Sequence, residues 1–334
     1  MSRPLTKWQR VEAALRGDEV DRIPLSLWKH YHLQDRAPRQ LAEVTVALHH
    51  QFDTDLIKLT PSGLYSIQDW GATIHFGRDD DTPPLAVQPV ITSAEQWETL
   101  PRLSVNKGAL GRELEFIHQV NTRLKGSAPF MMTLFSPLTT AYKLRGDRIS
   151  GDRLLDDLRQ SPRHLHAGLR VIRDVLIGYA GACVEAGASG FFFATQLVSA
   201  DKLSRTEYEE FGRAYDLAVL ESLQAKSRVT MLHVCRQNPL FDLVADYPVH
   251  VINWSDRAAG PSLAEARQLT QTPLAGGLSL DTGSPQDVLA EAREAIAQAG
   301  RTGFILAPAC VIRGSSPEAN LAAARQAVAE TAWS

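Results

Sequence analysis

Residues 161–194 read SPRHLHAGLRVIRDVLIGYAGACVEAGASGFFFA. As far as Gly187 the apolar residues recur with a helical period, and Gly187 stands where a helix-ending glycine belongs. SGFFFA (189–194) then forms a short, β-prone apolar run, so a helix feeds directly into a buried strand. The same alternation extends in both directions. Strand-like runs occur at IPLSLW (23–28), DLIKL (55–59), PFMMTLF (129–135), RVTMLH (228–233), HVINW (250–254), TPLAGG (272–277) and GFILAP (303–308). Helical periodicity returns over 206–225, 262–270 and 284–300, the last opened by the capping serine and N1 proline of Ser284-Pro285 and closed by Gly300. Eight strands separated by helices call for parallel pairing, and eight repeats closing on themselves make an α/β (β/α)8 TIM barrel. A doubly wound open sheet is the rival, and no Gly-rich dinucleotide or P-loop fingerprint follows any strand to support it.

The stretch 60–127 is too long for a simple crossover. Its polar turn GRDDDTPP (77–84), between GATIHF and LAVQPV, predicts a hairpin inserted after the second strand. No internal repeat or low-complexity linker appears, so residues 1–334 are expected to form one domain with an N-terminal helical lead. Of the 334 residues, 44% are hydrophobic and 22% charged, which suits a globular chain with a large core. The net charge is -3, from 35 Lys+Arg against 38 Asp+Glu, with no basic tract of the kind that binds nucleic acid. The start has no apolar signal segment and no stretch is long enough to span a membrane, so a cytoplasmic protein is expected. Three cysteines, Cys183, Cys235 and Cys310, are too few for a disulfide framework.

His233 and Cys235 close the fifth expected strand, and Cys310 follows the eighth in Pro-Ala-Cys. In a barrel of this kind, reacting groups gather at the C-terminal ends of the strands. Residues i and i+2 of an extended segment face the same side, so His233 and Cys235 form a short chelate that Cys310 can complete from across the mouth. One imidazole and two thiolates suit Zn2+, and three protein ligands leave a fourth position for substrate. The competing reading is a packed core histidine and buried thiols, which is the role expected of Cys183 inside its helix.

With these residues in view, the chain resembles the uroporphyrinogen decarboxylase superfamily along nearly its whole length. RVEAALRGDEVDRIPLSLW (10–28) is similar to the family's N-terminal signature. GASGFFFATQ (187–196), LSRTEYEEFGRAYD (203–216), INWSD (252–256), AGGLS (275–279) and ILAPACVIRGSSPEANL (305–321) follow in the expected order. The resemblance implies a (β/α)8 barrel. Decarboxylases of the family carry Arg-Gln-Ala-Gly-Arg after the first strand, where this chain has Trp28-Lys29-His30-Tyr31-His32. The corrinoid-linked methyltransferase branch carries His-x-Cys and a distant Cys that bind catalytic zinc, and the chain is similar to that branch at His233, Cys235 and Cys310. The resemblance therefore implies zinc-dependent methyl transfer between a cobalamin and a small-molecule methyl donor or acceptor, either a thiol or a methoxy or methylthio compound. A porphyrinogen-type decarboxylase and a non-catalytic zinc-holding barrel are the alternatives. The chain lacks the Asp-x-His-x-x-Gly loop of corrinoid-binding domains, which implies a separate corrinoid protein or free cobalamin as partner. Sequence leaves the oligomeric state open.

Further candidates surround this triple. Asp256 in NWSD is expected as a fourth ligand or a base, and Gln196 as a hydrogen-bonding group that orients substrate. His30, Tyr31 and His32 after the first strand, Lys58 in the second, Asp69 and Trp70 beyond it, and Arg313 after Cys310 are candidates for contact with substrate. The triplet Asp79-Asp80-Asp81 is expected to be a solvated turn, because it lacks calcium-loop spacing.

Overall fold

The computed structural model describes residues 4–146, 152–281 and 283–332. Among these residues nine strands occur in chain order: β1 (Ile57–Leu59), β2 (Ile74–His75), β3 (Leu85–Ala86), β4 (Phe130–Phe135), β5 (Gly190–Thr195), β6 (Val229–Val234), β7 (Val251–Trp254), β8 (Leu274–Leu278) and β9 (Phe304–Pro308). Seven of them form one parallel sheet in the order β1-β4-β5-β6-β7-β8-β9, while β2 and β3 pair antiparallel as the inserted hairpin. Every residue of β4, β5, β6, β8 and β9 is buried, which explains why these strands read as unbroken apolar runs rather than alternating ones. At Gly190 a Cβ would stand 1.7 Å from the Val229 carbonyl oxygen, so only glycine lets β5 lie this close to β6.

Helices cover the sheet. Lys7–Arg16 forms the N-terminal lead, opened by a reciprocal Thr6–Gln9 capping box. Pro162–Glu185 buries Cys183, and Pro285–Ala299 starts at a Ser284–Asp287 box and ends at Gly300, as its sequence signals require. The expected helix over 206–225 is interrupted. Arg205–Tyr208 and Ala214–Gln224 flank a π-helical turn, Glu209–Arg213. Gly212 has no side chain to displace the Tyr208 ring, which turns inward so that its hydroxyl donates to Asp216 at 2.8 Å. Between β6 and β7 the expected crossover helix is reduced to a 3-10 turn, Phe241–Leu243.

The segment 23–28 departs from expectation, because it forms no ladder. On one side the Ser26 amide donates to Leu306 and the Leu306 amide to Pro24, with a single parallel bridge at Leu25↔Leu306. On the other side the Asp55 amide donates to the Leu25 carbonyl and Ser26 Oγ to the Leu56 carbonyl. The segment thus lies hydrogen-bonded between the two edge strands β9 and β1. Pro24 has no N–H to give, and the Leu25 amide is taken by the Asp55 carboxylate at 2.9 Å, so a regular ladder cannot form. Asp55 is fully buried and held at 2.6 Å by both Arg10 and Arg22. Removing one partner from such a buried network costs roughly 3–5 kcal/mol.

Candidate metal centre

Parallel register sets the centre. β6 places His233 opposite Ala194 of β5 and Asn253 of β7. Asn253 is fully buried, and its Nδ2 donates to the carbonyls of Ala275 and Pro308, at 3.0 and 3.1 Å. Since both partners are acceptors, Oδ1 must face His233, whose Nδ1 lies 2.7 Å away. Nδ1 of His233 therefore carries the hydrogen, and the Nε2 lone pair is left for a ligand. The imidazole is further fixed by stacking on Phe192, with ring centroids 5.0 Å apart.

One residue past β6, the Cys235 amide donates to the Thr195 carbonyl, and the chain turns at once through a left-handed Arg236, φ 88°. Cys310 arrives from the end of β9 on a loop pinned by the Ile312 amide to the Trp28 carbonyl. One ligand atom each from His233, Cys235 and Cys310 lies within 4.8 Å of the other two. The two sulfurs share a hydrogen bond. It holds the Cys310 thiol well below its ordinary value, with His233 adding to the effect, while the Cys235 thiol that donates it is pushed well up. An imidazole nitrogen and two sulfurs at this spacing fit zinc, whose bonds of about 2.0–2.3 Å would draw the three together.

His233, Cys235 and Cys310 sit in the wall of a cavity of about 360 Å³. His30, His32, Lys58 and Gln196 line the same cavity, so these four candidates converge with the His233, Cys235 and Cys310 triple. Lys58 is buried, donates to Thr60 Oγ1 at 3.3 Å and lies 4.5 Å from the centre of the Phe192 ring. Burial brings its ammonium down to about 7, although the negative field of Cys310 pulls the other way.

Five other candidates lie elsewhere. Tyr31 is half-buried beside Trp28 and His49, outside the lining of this cavity. Asp256 accepts the Gly277 amide at 3.0 Å, tying β7 to β8, and stands outside the group of possible ligands among the described residues. Trp70 donates its Nε1 to the Pro101 carbonyl, and Asp69 caps the backbone of Ala109 and Leu110. Arg313 is exposed beside Asp281. The acidic triplet is more than a solvated turn: Asp80 accepts the Leu33 amide at 3.0 Å and Asp81 the Ser315 amide at 2.9 Å. The tip of the hairpin is thereby tied to the loop that carries His32 and to the loop that follows Cys310. Asn253 escaped the sequence reading, although a lone amide in the apolar run VINW was a visible signal. Lys143 also lines the cavity unforeseen, with its Nζ donating to the Gly63 carbonyl at 2.6 Å.

The family model described as uroporphyrinogen decarboxylase (URO-D) matches residues 6–331. The chain belongs to the URO-D family. Within the family this URO-D chain is 24% identical over 337 residues to the methylcobamide:CoM methyltransferase MtbA of Methanosarcina acetivorans, covering 95% of each. It is 22% identical to MtaA of Methanosarcina barkeri, over 94% of this chain and 95% of that one. A solved methyltransferase from Methanosarcina mazei shares its fold with a TM-score of 0.83, at 22% identity, covering 98% of this chain and 99% of that one. A B12-independent methionine synthase from Shewanella sp. W3-18-1 superposes with a TM-score of 0.62 at 13% identity, over 92% and 97% of the two chains.

Proposed function

We propose that this URO-D family chain is an enzyme, a zinc-dependent methyltransferase moving a methyl group between a corrinoid and a thiol or a methoxy or methylthio compound. The observation that carries the reading is the convergence of His233, Cys235 and Cys310 in the wall of one cavity. The relatives MtbA and MtaA, named for methyl transfer between methylcobamide and CoM, support it by matching along nearly the whole chain. On this reading the sheet belongs to a (β/α)8 barrel with 23–28 in the eighth strand's place, and residues 1–334 form one domain. The partner that brings the methyl group is a corrinoid protein or free cobalamin, and the setting is a reducing cytoplasm, where the thiols stay available. No helix among the described residues is long and apolar enough to cross a membrane.

His233 would hold zinc through Nε2, and Cys235 and Cys310 as thiolates. Zinc bound there supplies Lewis acidity, lowering the pKa of a thiol or polarising the heteroatom that loses its methyl group. The protein supplies position. Asn253 locks the His233 ring, the Arg236 turn sets the Cys235 sulfur, and Gln196 offers an amide to orient the substrate. Lys58 places its amino group in the same cavity as the two sulfurs, and the Cys310 field favours its charged form against burial.

Metal analysis tests the reading: about one zinc per chain is expected in the wild type, with loss in Cys235→Ser and Cys310→Ala. Spectral conversion of methylcobalamin to cob(I)alamin on adding thiols tests the chemistry. A wild type that binds no zinc, or that decarboxylates a porphyrinogen without it, overturns the reading.

A further inference from the structure

His32 is the cavity residue whose surroundings the metal site does not explain. It is buried, and its Nδ1 lies 3.2 Å from Asp35 Oδ2, on the turn that follows segment 23–28. Its ring stacks on His30 with centroids 4.6 Å apart, and both rings line the cavity that holds the metal ligands. The parallel bridge Lys29↔Ile312 fastens this loop to the one leaving Cys310. With Nδ1 engaged by Asp35, Nε2 is the atom His32 has left to offer, and it makes no hydrogen bond to the described residues. A carboxylate behind an imidazole fixes its orientation and stabilises the cation that forms when the far nitrogen takes a proton.

We propose that His32, backed by Asp35, is the proton acceptor for the substrate thiol in this cavity. The inference rests on the methyl-transfer reading above. The thiol S–H bond breaks and its proton passes to His32 Nε2. The sulfur electron pair then forms the S–CH3 bond to the methylated corrinoid, and the electrons of the breaking Co–C bond remain on cobalt. The proton afterwards leaves for solvent. When the flow runs from a methylated sulfur to reduced cobalt, the same imidazolium returns the proton to the departing sulfur.

The charges around the pair select His32 over its neighbour. His30 is half-buried and faces Lys58, Lys143 and His32, all of which oppose a positive charge on it, and its Nδ1 has no partner among the described residues. His32 instead faces Asp35 on its own loop and Asp79 on the hairpin. Asp35 in turn faces Arg112 of the helix Gly108–Leu124 and Asp80 of the hairpin. Burial raises the Asp35 carboxyl, while the His32 contact opposes that rise. A proton placed on His32 thus meets carboxylates, whereas one placed on His30 meets cations.

The test uses the zinc-loaded full chain, free methylcobalamin, and CoM and 2-mercaptoethanol as probe thiols. For His32→Ala, zinc content and melting temperature should match the wild type, while the methyl-transfer rate at neutral pH falls about 10²-fold or more, the usual contribution of a positioned base. The wild-type rate should carry a pH-dependent limb that reports a base on the protein. The variant should lose this limb and follow the thiol's own ionisation at higher pH, with partial rescue by added imidazole. Asp35→Asn should give a smaller loss and a displaced pH profile. If wild-type protein transfers methyl groups and His32→Ala keeps both rate and pH profile, the acceptor role is overturned and the methyl-transfer reading stands. If the wild type binds no zinc and transfers nothing, both fall together. A His32→Ala chain that fails to fold leaves the decision to Asp35→Asn, whose unchanged pH profile would also overturn the proposal.

Discussion

Asn253 decides which nitrogen of His233 faces the cavity. Its amide hydrogens are committed to Ala275 and Pro308, so the histidine has one tautomer open to it. Partners that orient a metal-binding histidine are typically worth 10–100-fold in metal affinity. Asn253→Ala should therefore weaken zinc binding by about that factor in chelator competition, with the thiol pair intact. Unchanged affinity would show that Phe192 stacking alone holds the ring. At this scale the shared facing of His233 and Cys235 was legible, because i,i+2 spacing on a strand needs no knowledge of partners. Asn253 was not, since its role depends on register with β6 and on carbonyls of β8 and β9. Asp256 sits at an equally suggestive strand end, but its carboxylate is occupied by the Gly277 amide, a pairing no local pattern announces.

Among the elements, the helix pair around the π turn carries a titratable core. Asp216 is fully enclosed, with Oδ2 accepting from Tyr208 at 2.8 Å and Tyr247 at 3.1 Å, while Oδ1 has no partner. Burial, opposed by the two tyrosine hydrogen bonds, raises its pKa to about 7. The folded state therefore keeps a proton that the unfolded chain gives up near 4, so stability falls as pH rises between about 4 and 7 and levels off above. Asp216→Asn removes this loss and gives the orphaned position an amide. Its melting temperature should exceed the wild type's by several degrees at pH 8 and by much less at pH 5, as read by thermal denaturation. Equal shifts at both values would place the effect outside Asp216 ionisation. The buried parallel strands and their capped helices could be read from periodicity and cap residues. Segment 23–28 could not: its apolar run reads as a strand, yet Pro24 and the Asp55 carboxylate deny it a ladder. The π turn was equally hidden, because EEFGR keeps helical composition while its geometry answers to Tyr208 and Asp216.

Across the whole molecule, the centre draws on distant parts of the chain: His233 and Cys235 from the end of β6, Cys310 from beyond β9, and Lys58 from β1. The hairpin β2–β3 belongs to none of these, yet its tip joins two of the loops around the cavity through Asp80 and Asp81. Asp80→Ala combined with Asp81→Ala should speed amide exchange at Leu33 and Ser315 at least several-fold while zinc content stays constant. Exchange rates equal to the wild type's would show that the tip is held by other contacts. Two side-chain hydrogen bonds of about 0.5–1.5 kcal/mol each set a clasp worth roughly 1–3 kcal/mol. Such a clasp would stand open in about one molecule in six at the weak end and about one in 160 at the strong end. On the methyl-transfer reading, access to the Cys235 and Cys310 sulfurs would then be metered by a small, local equilibrium that two aspartates set, independently of how firmly the rest of the chain is folded.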